Sequence, residues 1–275
     1  MRSSKHQTGT FPTTYSTSGN KTLAPCSICG PLPHCYGNFS YFILFIDCYS
    51  RYISLFFLKQ RDDALNSFIE YCTAVQNYTN KTLFILRVDN APELIRGKME
   101  SYCKAEGVTY EKMIPDSPSQ NGMAKRTNLT IGSMARAMLI DTDLKDYFWP
   151  FTTQAAVHIK NRVPHLSLPP DKMPFELWHR YKPNLSHLRL FGVICTSQIL
   201  SNNHSKFTPR GETGCFLGYA KDAKGYLIWI PGPNNRGGTV KARRDVTFHD
   251  YPIHLSHVPS MDTESILWDD IAYSD

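Results

Sequence analysis

The 275-residue chain lacks any apolar run long enough to cross a membrane. Its longest, Tyr41–Ile46 (YFILFI), falls far short of the roughly 20 residues a spanning helix needs. No charged-then-apolar leader opens it, which argues against secretion. The Asn-x-Ser/Thr triplets at Asn38, Asn77 and Asn128 then read as chance matches. P-loop, dinucleotide glycine fingerprint and internal repeat are all missing. Cys26-x-x-Cys29 has the spacing of half a zinc knuckle, but no second Cys-x-x-Cys and no well-spaced His pair completes it. The eight cysteines are therefore expected as reduced, mostly buried thiols. Charge of one sign is scarce too: 30 Lys and Arg against 24 Asp and Glu give +6, permissive for nucleic acid but not diagnostic.

What is present suffices for a folded core. Hydrophobic residues are 41% and charged residues 20%, which excludes global disorder, and the length fits one large domain or two small ones. Residues 1–22 are Ser/Thr-rich and read as a flexible arm. Tyr41–Ile46 and Tyr52–Leu58 (YISLFFL) are aromatic and β-branched without alternation, as in central strands covered on both faces. The short link Asp47–Arg51 suits a hairpin. A helix follows from Asp62 or Asp63 as cap, with Leu65, Phe68, Ile69 and Cys72 as its apolar stripe. Leu83–Val88 (LFILRV) is a third buried strand ending on Asp89. A helix over Glu93–Glu106 stopped by Gly107 and a strand over Val108–Met113 come next.

A Pro/Ser/Asn/Gly loop then leads into a helix over Ser119–Leu139. Met123, Ile131, Met134 and Met138 lie along one face of it, and Lys125 points away from them. A further helix pattern covers Leu144–Arg162. The order of elements gives an α/β unit of mixed sheet over 23–164. Residues 165–187 are a Pro-rich connector. Over 188–250, short strand-like pieces (CFLGYA, YLIWI, TVKARRDVTF) alternate with turns, giving a small, mostly β subdomain. Ser205–His249 carries eight Lys/Arg against three Asp/Glu, a candidate nucleic-acid surface or simply a solvated face. Residues 251–275 form an acidic tail.

An aspartate at the tip of a buried strand is held where a cation or ligand can reach it, although strand-end Asp is also a common turn former. Asp89 occupies such a position, in the segment RVDNAPEL (Arg87–Leu94). Together with CSICGPLP (Cys26–Pro33) and SPSQNGMAKRTNLTIGSMARAML (Ser117–Leu139), that segment resembles the integrase core of Ty1/copia-type long-terminal-repeat retrotransposons. FWPFTTQAAVHIKNRVP (Phe148–Pro164), MPFELWHRYKPNLSHLRLFG (Met173–Gly192) and the stretch Cys215–Phe248 extend the likeness over about residues 23–250.

The resemblance implies a ribonuclease-H-like, five-stranded mixed sheet flanked by helices. It also implies Mg²⁺- or Mn²⁺-dependent DNA 3′-processing and strand transfer by three acids, and a nuclear location. Thirty-five residues lie between Asp89 and Lys125, the interval the family keeps between its second Asp and its Glu. Lys125 therefore stands at the Glu position, and Ser27, in Pro25–Pro31, stands where the first Asp belongs. Asp89 is the one surviving acid and the one expected metal ligand. At about 4 Å and an effective dielectric near 20, a Lys for a Glu exchanges an attraction of roughly 4 kcal/mol per unit charge for a comparable repulsion. The copy is thus expected to be catalytically inactive, with Asp47 and Glu93 as the acids that could partly substitute. Gln120, Asn121, Lys125 and Arg126 are the expected contacts to duplex DNA, made without sequence preference. A homo-oligomer is a further implied partner. The family's integrase opens with a His/Cys zinc domain, which the 275 residues do not contain. The alternatives are a non-catalytic DNA- or protein-binding module and a non-functional transposon remnant.

Overall fold

The computed structural model describes residues 21–80, 82–88, 97–112, 122–199, 210–220, 224–232 and 237–249. The first sheet is built from β1 (Lys21–Cys29), β2 (Tyr41–Ile46), β3 (Ile53–Leu58), β4 (Thr82–Val88) and β5 (Thr109–Lys112). Their order is β3-β2-β1-β4-β5. β1, β2 and β3 are antiparallel neighbours, whereas β4 runs parallel to β1 and to β5. This mixed, five-stranded arrangement is the ribonuclease-H-like fold.

Helices cover both faces. On β2, Ile43 and Phe45 pack with α1 (Ala64–Thr79) and with Met99 and Cys103 of α2 (Lys98–Ala105). Phe42, Leu44 and Ile46 point the other way, toward α3 (Gly122–Thr142) and α4 (Trp149–Lys160). A strand clamped between two helical layers gains by being apolar on both sides, which is why its sequence does not alternate.

Several expectations shift. β1 carries Pro25 and four Ser, Thr or Cys residues, and no strand pattern announces it. Pro25 is tolerated because β1 pairs with β2 only from Cys26 onward, so its missing N–H breaks no ladder bond on that side. β4 is buried on one face only: Leu83, Leu86 and Val88 enter the core, while Phe84 is 38% exposed and Arg87 reaches Glu111. On that side of the sheet α3 packs mainly on β1 and β2. In α1 the buried stripe is Phe68, Tyr71 and Val75, and Ile69 turns toward solvent. Asp63 does not cap α1; its carboxylate accepts the Gln60 amide at 2.9 Å, one turn earlier. The expected Glu93–Glu106 helix is described only from Lys98.

The connector holds a short helix, α5 (Pro174–His179), whose Trp178 is 2% exposed and joins the core around α1. Its indole stacks on Tyr52 at 4.8 Å between ring centroids. The second sheet is antiparallel, in the order β10-β6-β7-β8-β9. Its strands are β6 (Ile194–Gln198), β7 (Gly211–Tyr219), β8 (Tyr226–Pro231), β9 (Gly238–Arg243) and β10 (Val246–Phe248). Leu217, Trp229 and Val240 from this sheet share one apolar cluster with Tyr36, Phe148 and Phe151.

Candidate functional site

β1 lies at the centre of the first sheet, so a side chain on it is framed by strands on both sides. Ser27 faces Leu44 of β2, and the preceding Cys26 faces Val88 of β4. Alternation then sends Cys26 into the α1 core and Ser27 to the α3 face, where it is 4% exposed. Asn128 of α3 meets it there: its Nδ2 donates to Ser27 Oγ at 2.7 Å. The Oδ1 of the same amide is buried with no hydrogen-bond partner among the described residues. Lys125 precedes Asn128 by three residues and so shares its side of the helix, one turn nearer the N-terminus. Both Lys125 and Arg126 are exposed.

Asn128, one helical turn after Lys125, is thus the α3 residue that reaches Ser27. Asp89, Gln120, Asn121 and Glu93 lie outside the described residues. Sequence reasoning missed Asn128, although its position one turn beyond Lys125 was a usable signal.

The neighbouring described acids are engaged elsewhere. Glu111 accepts both Nε and Nη2 of Arg87, at 3.0 and 2.8 Å, and Glu100 accepts Lys112 Nζ at 2.7 Å. Asp47 closes the β2–β3 hairpin: its Oδ2 accepts the Ser50 amide and hydroxyl, both at 2.6 Å. Ser27 pairs with Leu44, so Asp47 lies three residues, roughly 10 Å, further along β2. It is a turn former, placed away from Ser27.

Cys26 and Cys29 do not form half of a metal site. Cys26 packs in the α1 core, whereas Cys29 packs against the α3 core on the opposite face. All eight cysteines are free. Burial pushes the Cys72, Cys103, Cys195 and Cys215 thiols up to about 12. No group of three or more His, Cys, Asp or Glu side chains suited to a metal occurs among the described residues.

Comparison with known proteins adds sequence relatives and structural neighbours. The family model for the retroviral polymerase SH3-like domain matches residues 193–259. The retrovirus-related Pol polyprotein from transposon TNT 1-94 of Nicotiana tabacum is 31% identical over 85% of this chain and 17% of its own length. That from transposon RE2 of Arabidopsis thaliana is 27% identical over 70% of this chain and 13% of its own. The chain therefore spans less than a fifth of the length of these relatives. Among solved structures, the HTLV-2 integrase catalytic core domain in complex with magnesium covers 57% of this chain and 95% of its own, at 14% identity and a TM-score of 0.42. The simian T-cell lymphotropic virus intasome in complex with PP2A regulatory subunit B56 gamma covers 84% and 79%, at 14% identity and a TM-score of 0.47.

The sequence relatives and the SH3-like match support a fragment of a Pol polyprotein like those of copia-type plant transposons, spanning the integrase core.

Proposed function

We propose that this fragment descends from a Mg²⁺-dependent DNA-joining enzyme of the nucleus and binds duplex nucleic acid without catalysing strand transfer. The observation that carries the reading is the Asn128–Ser27 hydrogen bond. It holds the α3 turn that follows Lys125 against Ser27 of β1, and the family resemblance assigns acids to positions 27 and 125. One bears a hydroxyl and the other an ammonium.

These residues do not fit a pair of divalent cations. Magnesium takes hard oxygen ligands in a strict octahedron, usually anchored by carboxylates. Ser27 Oγ already accepts an amide proton, Lys125 offers only donors, and Glu100 and Glu111 are held in ion pairs. Asp89, known here from sequence alone, leaves one carboxylate for the task.

Binding is less affected. Lys125 and Arg126 are exposed at the start of a long helix, and each phosphate they neutralise adds about 0.9 to the salt slope of duplex affinity. The joint test is Mg²⁺- or Mn²⁺-dependent nicking and strand transfer beside salt-dependent duplex binding. Background-level products with a clearly negative salt slope are expected for the natural chain. Metal-dependent nicking that Asp89→Ala removes would overturn the inactivity, and a salt slope near zero would overturn the binding.

A further inference from the structure

Arg162, just past the end of α4, is a half-buried cation, and among the described residues no acid forms an ion pair with it. Its Nη1 donates to the His158 carbonyl at 3.0 Å, and its Nε is buried without a hydrogen-bond partner. The guanidinium lies over the Phe175 ring, 4.5 Å from the centroid. Imidazoles and phenols surround it. His158 and His187 bring their Nε2 atoms to 3.3 Å. His158 stacks on Tyr219 at 4.0 Å, and His187 meets the same ring edge-on at 5.2 Å. The charged and titratable groups that act on this cluster are Arg162, Arg189, Tyr52, Tyr181, Tyr219 and the histidines themselves. No carboxylate among the described residues is one of them.

A guanidinium withdrawn from water is costly unless an anion meets it. Here the fold supplies aromatic walls and two imidazoles that an anion would recruit as donors, but no anion of its own. We propose that Arg162, His158 and His187 form a binding site for a phosphate oxyanion, at the junction of α4, the connector and β7. Arg162 supplies a planar fork suited to two phosphate oxygens, and an anion entering between the paired His158 and His187 Nε2 atoms would take N–H donors from them. The place differs from the Ser27 site: Arg162 follows α4, whose neighbouring Asn161 is bonded to Ile53 of the edge strand β3, whereas Ser27 is on the central strand. The phosphate could be a free ion or phosphomonoester, or a diester in a nucleic-acid backbone. Only the second source rests on the nucleic-acid reading above.

The test follows the imidazole proton resonances of the full chain at pH 6.5 while inorganic phosphate is added, with chloride at matched ionic strength as control. Saturable shifts of His158 and His187 in the direction of protonation are expected. Arg162→Gln should weaken the phosphate affinity by about tenfold or more, the loss of one charge-assisted contact. His187→Gln, on the partly exposed connector, should weaken it as well and covers the case in which Arg162→Gln fails to fold. Shifts that do not saturate, that chloride reproduces, or that both variants leave unchanged would overturn the site. A second arm measures duplex binding. If His187→Gln weakens it and phosphate competes, the ligand is a backbone diester. If duplex binding is untouched while phosphate saturates, the ligand is a free phosphate, and the role of Lys125 and Arg126 stands or falls separately.

Discussion

Asn128 reaches across from α3 to hold Ser27 of β1, 101 residues earlier, through a 2.7 Å hydrogen bond. The contact ties a helix to the central strand. Asn128→Ala should destabilise the fold by about 1 kcal/mol, because the buried Ser27 hydroxyl loses the hydrogen bond that Asn128 donates. Urea unfolding reads the change; a stability equal to the natural chain would show that the bond is incidental.

Restoring both acids should make stability metal-dependent. Ser27→Asp with Lys125→Glu is expected to lower the melting temperature without divalent ions, since position 27 then buries a carboxylate. Millimolar Mg²⁺ or Mn²⁺ should raise it again, by roughly 2–4 °C for each 1 kcal/mol of binding free energy. The natural chain should not respond. An unresponsive double variant would place the lesion elsewhere than these two positions.

Trp178 tests whether the connector is part of the core. Its side chain is 2% exposed and lies flat on Tyr52. Trp178→Ala should cost about 3–5 kcal/mol, the range for deleting a buried large aromatic. Limited proteolysis should then cut within 165–187 sooner than in the natural chain.

Acid should weaken the fold through two histidines. Burial, then Arg162, then His187 hold His158 down to about 3, and burial with Arg162 holds His179 down to about 4. Unfolded, both take a proton near their ordinary value of 6.5. Below that pH the unfolded chain binds more protons than the folded one, so stability falls with pH until the folded groups titrate near 3–4. Urea midpoints at pH 7 and pH 5 should differ in that direction. His179→Gln should reduce the difference; an unchanged pH dependence would contradict the assignment.

Gly30 sits at φ +130°, and a Cβ there would lie 2.6 Å from both the Ser40 carbonyl oxygen and Tyr41 Cδ1. Backbone strain and collision add, so Gly30→Ala should destabilise by more than about 1 kcal/mol. A circular dichroism melt would detect it.

How much of this was legible in the chain depends on what each residue reports. Non-alternating runs report burial on two faces, which holds for β2; β3 is a strand too, but it is the edge strand, not a central one, and its middle residues are only half-buried. The methionine face of α3 and the outward Lys125 followed from helical spacing alone. β1 was hidden because its partners, not its own side chains, make it a strand: Pro25, Ser27 and two cysteines have little strand character. The α1 stripe slipped because Tyr71 is buried through its stacking at 4.7 Å on Phe45, which no helical wheel contains. The piece TVKARRDVTF read as one strand, yet Arg244 and Asp245 divide it into β9 and β10. The connector looked like a linker because prolines are conspicuous, while the single indole that anchors it is not. At the site, Ser27 and Lys125 were assigned by motif register; the Asn128 amide on Ser27 needed coordinates.

The aromatic cluster shared by the two sheets bears on how the molecule comes apart. Tyr36 donates no surface to solvent, its hydroxyl lies 3.4 Å from the Val240 amide, and Phe148 meets Trp229 edge-on. Severing the polypeptide between the halves would strip greasy rings bare on either product. Calorimetry of the intact chain should therefore record a single joint melting event, and each half expressed by itself should precipitate.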